Sequence, residues 1–112
     1  MRSSVDTRFV QGLALFDKKE YYECHEIIES LWLETPKEDK HRGLYQGVIQ
    51  VAAAIYQLER GITGGAQGLR ASAKAYLEPY KPAALGADVS GILKTMEDKF
   101  QIWTSKNAGK KL

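Results

Sequence analysis

The segment at residues 44–58 is apolar around most of the circumference of a helix, and this feature constrains the fold more than any other. Its apolar side chains are Leu44, Val48, Ile49, Val51, Ala52, Ile55, Tyr56 and Leu58. Only Gln46, Gln50 and Gln57 form a polar strip along it. A helix of this kind is typically buried at the centre of a helical bundle. It is also shorter than a membrane span, and the glutamines interrupt it.

Four other segments have apolar residues at helical spacing and can surround this central helix. They occupy residues 5–17, 21–34, 63–80 and 89–104. The short connection at residues 18–20 favours an antiparallel hairpin of the first two helices. A chain of 112 residues forms one domain. We therefore predict an all-α fold: a single compact bundle of about five helices at residues 1–104, followed by a flexible basic tail at residues 105–112.

Local signals predict where the helices begin and end. Ser3 or Ser4 is expected to cap the first helix, Thr63 the fourth and Asp88 the fifth, and Gly61 is expected to end the third. Residues 35–38 have the capping-box spacing with a proline at the first helical position, so the third helix is expected to start there. The glycines near Thr63 lack the other residues of a phosphate-binding motif, so we predict no phosphate site.

The segment at residues 21–34 carries the side chains with the most chemical potential. His25 and Glu29 are four residues apart, which places them one turn from each other at the edge of an apolar stripe. Three interpretations remain open: a structural ion pair, two ligands of a divalent metal ion, or a general base oriented by a carboxylate. His25 and Glu26 match the first two residues of the zinc motif HExxH, but Glu29 stands where the second histidine of that motif would be.

The glutamine strip has two interpretations. The first is that these side chains are solvated on the one exposed face of the third helix. The second is that Gln46 and Gln50 face His25 and Glu29 across a helix interface. Buried amides must be hydrogen-bonded, so such side chains would form a shared network or a polar pocket.

Composition excludes several classes of function. The net charge is +2, and three of the lysines lie in the predicted tail, so the chain has no basic surface of the kind that nucleic-acid binding requires. Cys24 is the only cysteine, which excludes a disulfide framework and a thiolate metal cluster. No apolar run has the length of a membrane span, and no signal peptide is recognisable. We expect a cytoplasmic protein with no membrane partner.

The order and spacing of these residues resemble a known family. The run from Tyr22 to Glu26 (YECHE), then Glu29 and Trp32, is followed by YQGVIQVAAAIYQLERG and ITGGAQGL. Over residues 9–77 this pattern is similar to the family called DUF309, a domain of unknown function, although Cys24 stands where the family usually has alanine. The resemblance implies a compact all-helical fold and no established activity. It also implies that a site shared by the family would lie at the matched positions, which are His25, Glu26, Glu29, Trp32, Arg42, Gln46 and Gln50.

Two main functional hypotheses follow, and neither of them requires that the chain be an enzyme. In the first, a polar pocket between the second and third helices, with Trp32 as a wall, binds a small ligand or a metal ion held by His25 and Glu29. In the second, the polar cluster is structural and the chain forms a homodimer through the fifth helix, whose apolar seam runs from Val89 to Trp103. A metal-dependent hydrolase is a third and weaker hypothesis, because the sequence offers no nucleophile and too few ligands.

Overall fold

The computed structural model describes residues 5–107 and confirms the all-α bundle. The helices are α1 (Thr7–Asp17), α2 (Tyr21–Glu34), α3 (Arg42–Glu59), α4 (Thr63–Leu77) and α5 (Val89–Asn107), with a short 3-10 turn at Glu78–Tyr80. Within the described residues, the extended pairing is limited to one isolated bridge between Ala84 and Ala87. None of the helices in this part of the chain is long and apolar enough to cross a membrane.

Helix α3 is the centre of the molecule, as its apolar circumference predicts. It packs against three other helices: α2, α4 and α5. Leu44, Val48, Val51, Ala52, Ala54 and Ile55 are all completely buried. Each large apolar side chain that is removed from water in this way contributes about 1.5–3 kcal/mol to folding, so this face of α3 supplies much of the stability.

The α1–α2 hairpin is held by close packing and by an ion pair. A Cβ atom at Gly12 would overlap the side chain of Ile28, so glycine is what lets the two helices approach at this point. At the open end of the hairpin, the Arg8 guanidinium contacts Glu34 at 3.0 Å and also Asp6. These contacts lower the pKa of both carboxyl groups.

The first and third helices begin later than the sequence predicts. Helix α1 starts at Thr7, and its cap is Asp6, whose Oδ1 accepts a hydrogen bond from the Arg8 amide at 2.8 Å. Ser3 and Ser4 lie outside the described residues. The proposed capping box at residues 35–38 was wrong, since α3 starts at Arg42. The Thr35 hydroxyl donates to the Leu31 carbonyl at 2.7 Å and therefore serves the end of α2.

The other helix ends follow the predicted signals more closely. Gly61 has a φ of 82°, and the Ile62 amide donates to the Gln57 carbonyl at 2.9 Å, which is the Schellman ending of a helix. Thr63 is the first residue of α4 and not its cap, because Ile62 occupies the cap position. Asp88 caps α5 as expected, with Oδ1 accepting from the Gly91 amide at 2.9 Å.

Helix α5 buries its apolar seam within the same chain. Val89, Ile92, Leu93, Met96 and Phe100 are all buried, and Trp103 is half-buried. The helix continues to Asn107, so it includes the first three residues of the predicted tail. The remainder of that tail, residues 108–112, lies outside the described residues. The homodimer through α5, the domain boundary at residue 104 and the cytoplasmic location stay predictions.

Candidate functional site

A cleft of about 220 Å³ lies where α2 and α3 face each other beside α4. It is lined by His25, Glu29, Trp32, Gln46, Ile49, Gln50, Ala53 and Leu69. The structure thus brings together five of the seven residues singled out from the sequence. The glutamines at positions 46 and 50 face the edge of α2, and both are half-buried.

Helical spacing explains why these side chains meet. On α3, the lining residues recur every three or four positions, which places them along one face of the helix. On α2, His25, Glu29 and Trp32 follow the same rule. Ala53 has the smallest side chain among the lining residues, so it leaves space between the two helices. Leu69 of α4 closes one side of it with an apolar wall.

His25 and Glu29 form a loose pair at the rim of this cleft. Their closest atoms, Nε2 and Oε1, are 3.6 Å apart, and the side chains are 27% and 44% exposed. The separation is longer than a good hydrogen bond. A solvated pair four residues apart in a helix stabilises it by only about 0.2–0.5 kcal/mol. Most of the hydrogen-bonding capacity of both side chains is therefore free for another molecule.

Two buried polar atoms on residues that line the cleft have no hydrogen-bond partner among the described residues. They are Nε1 of Trp32, which is a donor, and Oε1 of Gln50, which is an acceptor. Leaving a buried donor or acceptor unpaired costs about 1–3 kcal/mol, so such atoms are rare in a folded protein. Each of these two atoms therefore costs stability and has almost no surface open to the cleft.

A second cleft of about 190 Å³ adjoins the first and shares His25 and Ala53 with it. Its other lining residues are Tyr22, Tyr56 and Gln57. The tyrosine rings lie 5.3 Å apart, and the Tyr22 ring is 5.8 Å from the imidazole. Because the clefts share these residues, we treat them as one feature, the α2–α3 groove, with His25 near its middle.

The second cleft contains another unpaired atom and one perturbed phenol. Oε1 of Gln57 is buried without a partner among residues 5–107, and it packs where a Cβ of Gly65 would otherwise be. A hydrogen bond with Glu26 raises the pKa of the Tyr22 phenol. Sequence reasoning missed both tyrosines. Their signal was present, since Tyr22 is one turn before His25 and Tyr56 is next to the last glutamine of the strip.

The two remaining predicted residues lie outside the lining of the groove. Glu26 is exposed, and its carboxylate accepts a hydrogen bond from the Tyr22 phenol. The Arg42 guanidinium lies 4.3 Å from the centre of the Trp32 ring, and its Nε donates to the Thr35 carbonyl at 3.0 Å. Arg42 thus holds the Trp32 indole through a cation–π contact, so it is a positioning residue for this side chain of the groove.

The site has few groups for metal binding or nucleophilic chemistry. No cluster of three or more His, Cys, Asp or Glu side chains that could hold a metal ion occurs within residues 5–107. His25 and Glu29 would supply two ligands, whereas a zinc site takes at least three from the protein. Cys24 is buried in the core, and desolvation raises the pKa of its thiol to about 12, so it is not an activated nucleophile.

The helices that form the groove fall within the part of the chain that matches a known family. A family model described as "Domain of unknown function (DUF309)" matches residues 9–69, which includes α2, α3 and the start of α4. The chain is also 35% identical over 85 residues to the "Uncharacterized protein YpuF" of Bacillus subtilis (strain 168). That alignment covers 74% of this chain and 48% of the relative, so the chain spans about half of the relative's length. No solved structure matches.

Proposed function

The chain belongs to the DUF309 family, and we propose that it is a binding module that holds a small organic ligand in the α2–α3 groove. The observation that carries the proposal is the cleft of about 220 Å³ between α2 and α3, which four polar side chains line together: His25, Glu29, Gln46 and Gln50.

The shape and chemistry of the groove agree with this proposal. Ile49, Ala53 and Leu69 form the apolar part of its lining, and polar side chains form the rest. Clefts that bind small molecules combine an apolar lining with a few polar groups that fix the orientation of the ligand.

Protein NMR with a panel of small aliphatic, aromatic and heteroaromatic fragments tests the proposal. The reporter is the indole N–H signal of Trp32, which is assigned by its disappearance in Trp32→Phe. We expect at least one class of fragment to shift this signal in a saturable way. If no fragment shifts this signal at millimolar concentration, the result contradicts the binding function.

A matched pair of variants locates the binding. Ala53→Leu fills the space shared by both clefts, so it should abolish the saturable shift. Ala71→Leu makes the same change at an exposed position of α4 and should leave the shift intact. Equal binding by the wild-type protein and Ala53→Leu would place the fragments elsewhere on the molecule.

Self-association through α5 is the second candidate, favoured by an apolar surface near the end of that helix. Ile102 is 56% exposed. It lines a cleft of about 430 Å³ whose other apolar side chains are Leu58 and Trp103 and whose charged ones are Glu59 and two lysines. Because most of the seam is already buried within the chain, a dimer would have to use this end of α5. Light scattering coupled to size-exclusion chromatography measures the oligomeric state. If the wild-type protein is a dimer, Trp103→Asp should dissociate it. A monomeric wild-type protein would remove this candidate.

Metal binding and metal-dependent hydrolysis require ligands beyond His25 and Glu29. A ligand that binds only the folded state must stabilise it, so a real site would raise the melting temperature when zinc or nickel is added. With two ligands we expect no rise. A rise that His25→Ala removes would revive the metal hypothesis.

A further inference from the structure

The second cleft of the α2–α3 groove is lined by three aromatic rings, and this feature restricts the chemistry of the ligand. We propose that the ligand is a small molecule with a methylated ammonium group, which binds in this cleft against the rings of Tyr22, His25 and Tyr56. The inference rests on the binding function proposed above and adds the chemical class of the ligand.

The three rings form one aromatic surface that a ligand can reach. The Tyr22 and Tyr56 ring centroids are 5.3 Å apart, and those of Tyr22 and His25 are 5.8 Å apart. All three side chains line the cleft. Tyr22 is 43% exposed and the His25 side chain is 27% exposed, so ring atoms are open to contact. Aromatic faces attract cations, and quaternary ammonium ligands are commonly bound by several rings together.

The charges around the cleft favour a positive ligand over a negative one. Among the described residues, those that line the cleft carry no carboxylate, ammonium or guanidinium group. Two carboxylates lie beside the rings: that of Glu26 accepts a hydrogen bond from the Tyr22 phenol, and Glu29 Oε1 is 3.6 Å from His25 Nε2. A cation in the cleft is attracted by both carboxylates, whereas an anion is repelled by both.

A cation of the chain itself already lies on this aromatic surface. The Arg60 guanidinium is 5.3 Å from the centre of the Tyr56 ring. Arg60 follows the last residue of α3 and is exposed, so its side chain can move away when another cation binds. The contact indicates that the Tyr56 ring attracts positive charge in the setting of this fold.

The size and lining of the cleft favour a methylated ammonium group over a primary one. The cleft volume of about 190 Å³ is below the roughly 300–1,000 Å³ of sites for drug-sized ligands, so it suits a compact head group. Methyl groups make apolar contact with ring faces and with the Ala53 side chain. A primary ammonium is strongly hydrated and would lose more of its interaction with water on entering such a cleft.

Choline and its neutral isostere dimethylbutanol, in which carbon replaces the nitrogen, test the proposal. The two molecules have nearly the same shape, and only choline is charged. Both are titrated at about pH 8, where free imidazole is neutral, and the backbone amide NMR signal of Ala53 reports binding. We expect choline to bind about tenfold more tightly, because only choline makes cation–π contacts. Equal affinities, or tighter binding of dimethylbutanol, would overturn the proposal.

Variants of Tyr22 show whether its ring is responsible. Tyr22→Leu should reduce the preference for choline about threefold or more, whereas Tyr22→Phe keeps an aromatic ring and should retain most of the preference. Tyr76→Leu removes a ring at a 39% exposed position of α4, outside the lining of this cleft, and should leave the preference unchanged. A full preference for choline in Tyr22→Leu would contradict the assignment of the cation to these rings.

A variant of Arg60 tests the same assignment without altering the cleft lining. Arg60→Gln removes the cation that lies on the Tyr56 ring, so choline should bind about twofold more tightly or better. The affinity for dimethylbutanol should stay within a factor of two. Unchanged or weaker binding of choline in this variant would count against a cation site on Tyr56.

The outcomes separate this inference from the binding function itself. If choline and dimethylbutanol bind equally well, the cleft is a plain apolar site, so the binding function stands and the ammonium assignment is overturned. If choline does not bind but another fragment shifts the Trp32 signal, the assignment is again overturned. If neither choline nor any fragment binds, the binding function fails with it.

Discussion

Two faces of the same helix, α3, have opposite properties. One face carries Leu44, Val48, Val51 and Ile55, which are completely buried against neighbouring helices. The other face carries Gln46, Gln50, Ala53 and Gln57, which are half-buried and border the α2–α3 groove. Two of these glutamines have a buried oxygen without a partner among the described residues. A single helix thus separates the part of the molecule that stabilises the fold from the part that costs stability.

This difference indicates where function can lie. Residues that pack fully need no further explanation, because burial of apolar surface accounts for them. Buried polar atoms left unpaired lower the stability of the folded state, so the polar face of α3 contributes less to stability than the apolar face does. Variants on the two faces should therefore have effects on stability of different size and, in one case, of different sign.

The largest effect is expected on the buried face. Ile55→Ala should lower the free energy of unfolding by about 2–5 kcal/mol, because it leaves a cavity where Ile55 is completely buried. Urea unfolding followed by circular dichroism measures it. Ile102→Ala removes the same atoms at a 56% exposed position of α5 and should change the free energy by less than about 0.5 kcal/mol. Similar losses for both variants would contradict the assignment of α3 as the centre.

Overpacking of the α1–α2 contact should have the next largest effect. Gly12→Leu would force its side chain into Ile28, which is completely buried, so we expect a loss of about 1–3 kcal/mol. Gly68→Leu places the same side chain on a helical glycine that faces open space. This control should gain up to about 1 kcal/mol, because glycine is a poor helix former. A gain in both variants would show that α1 does not lie against α2 as closely as described.

A smaller effect is expected at the ion pair between α4 and α5. Arg70 contacts Glu97 at 2.6 Å and stacks on Phe100, and it lowers the pKa of the Glu97 carboxyl group. Glu97→Gln should cost about 1 kcal/mol at neutral pH. Because the pKa of Glu97 is lower in the folded state than its ordinary value of 4.5, the charged carboxylate stabilises the folded state at pH values above 4.5. This stabilisation is lost as the pH falls through the folded-state pKa. Unfolding at several pH values should therefore show the variant and the wild-type protein converging in acid.

The rim of the groove should show a still smaller effect. His25→Ala removes only the loose contact with Glu29, so we expect a loss below about 0.5 kcal/mol. Thermal unfolding at neutral pH measures it, with Phe9→Ala in the core as the reference for a large loss. A loss above 2 kcal/mol would mean that the imidazole belongs to a satisfied structural network, and the groove would lose its functional interpretation.

Much of the fold follows from periodicity in the sequence. The apolar circumference of residues 44–58 is enough to predict a buried central helix, and helical spacing places His25, Glu29 and Gln50 on facing edges. The start of α3 could not be predicted, because the Thr35 hydroxyl has two competing partners and only tertiary structure decides between them. The contribution of Leu69 to the groove likewise depends on how α4 packs, which no local pattern specifies.

The central claim is that the polar face of α3 serves binding and not stability, and Gln50→Leu tests it most directly. Leucine has a similar volume and removes the unpaired Oε1. We predict that the free energy of unfolding stays equal or rises by up to about 2 kcal/mol, while the saturable shift of the Trp32 indole N–H signal by fragments is weakened in the same protein. A fall in stability approaching that of Ile55→Ala, with the fragment shift unchanged, would contradict the account.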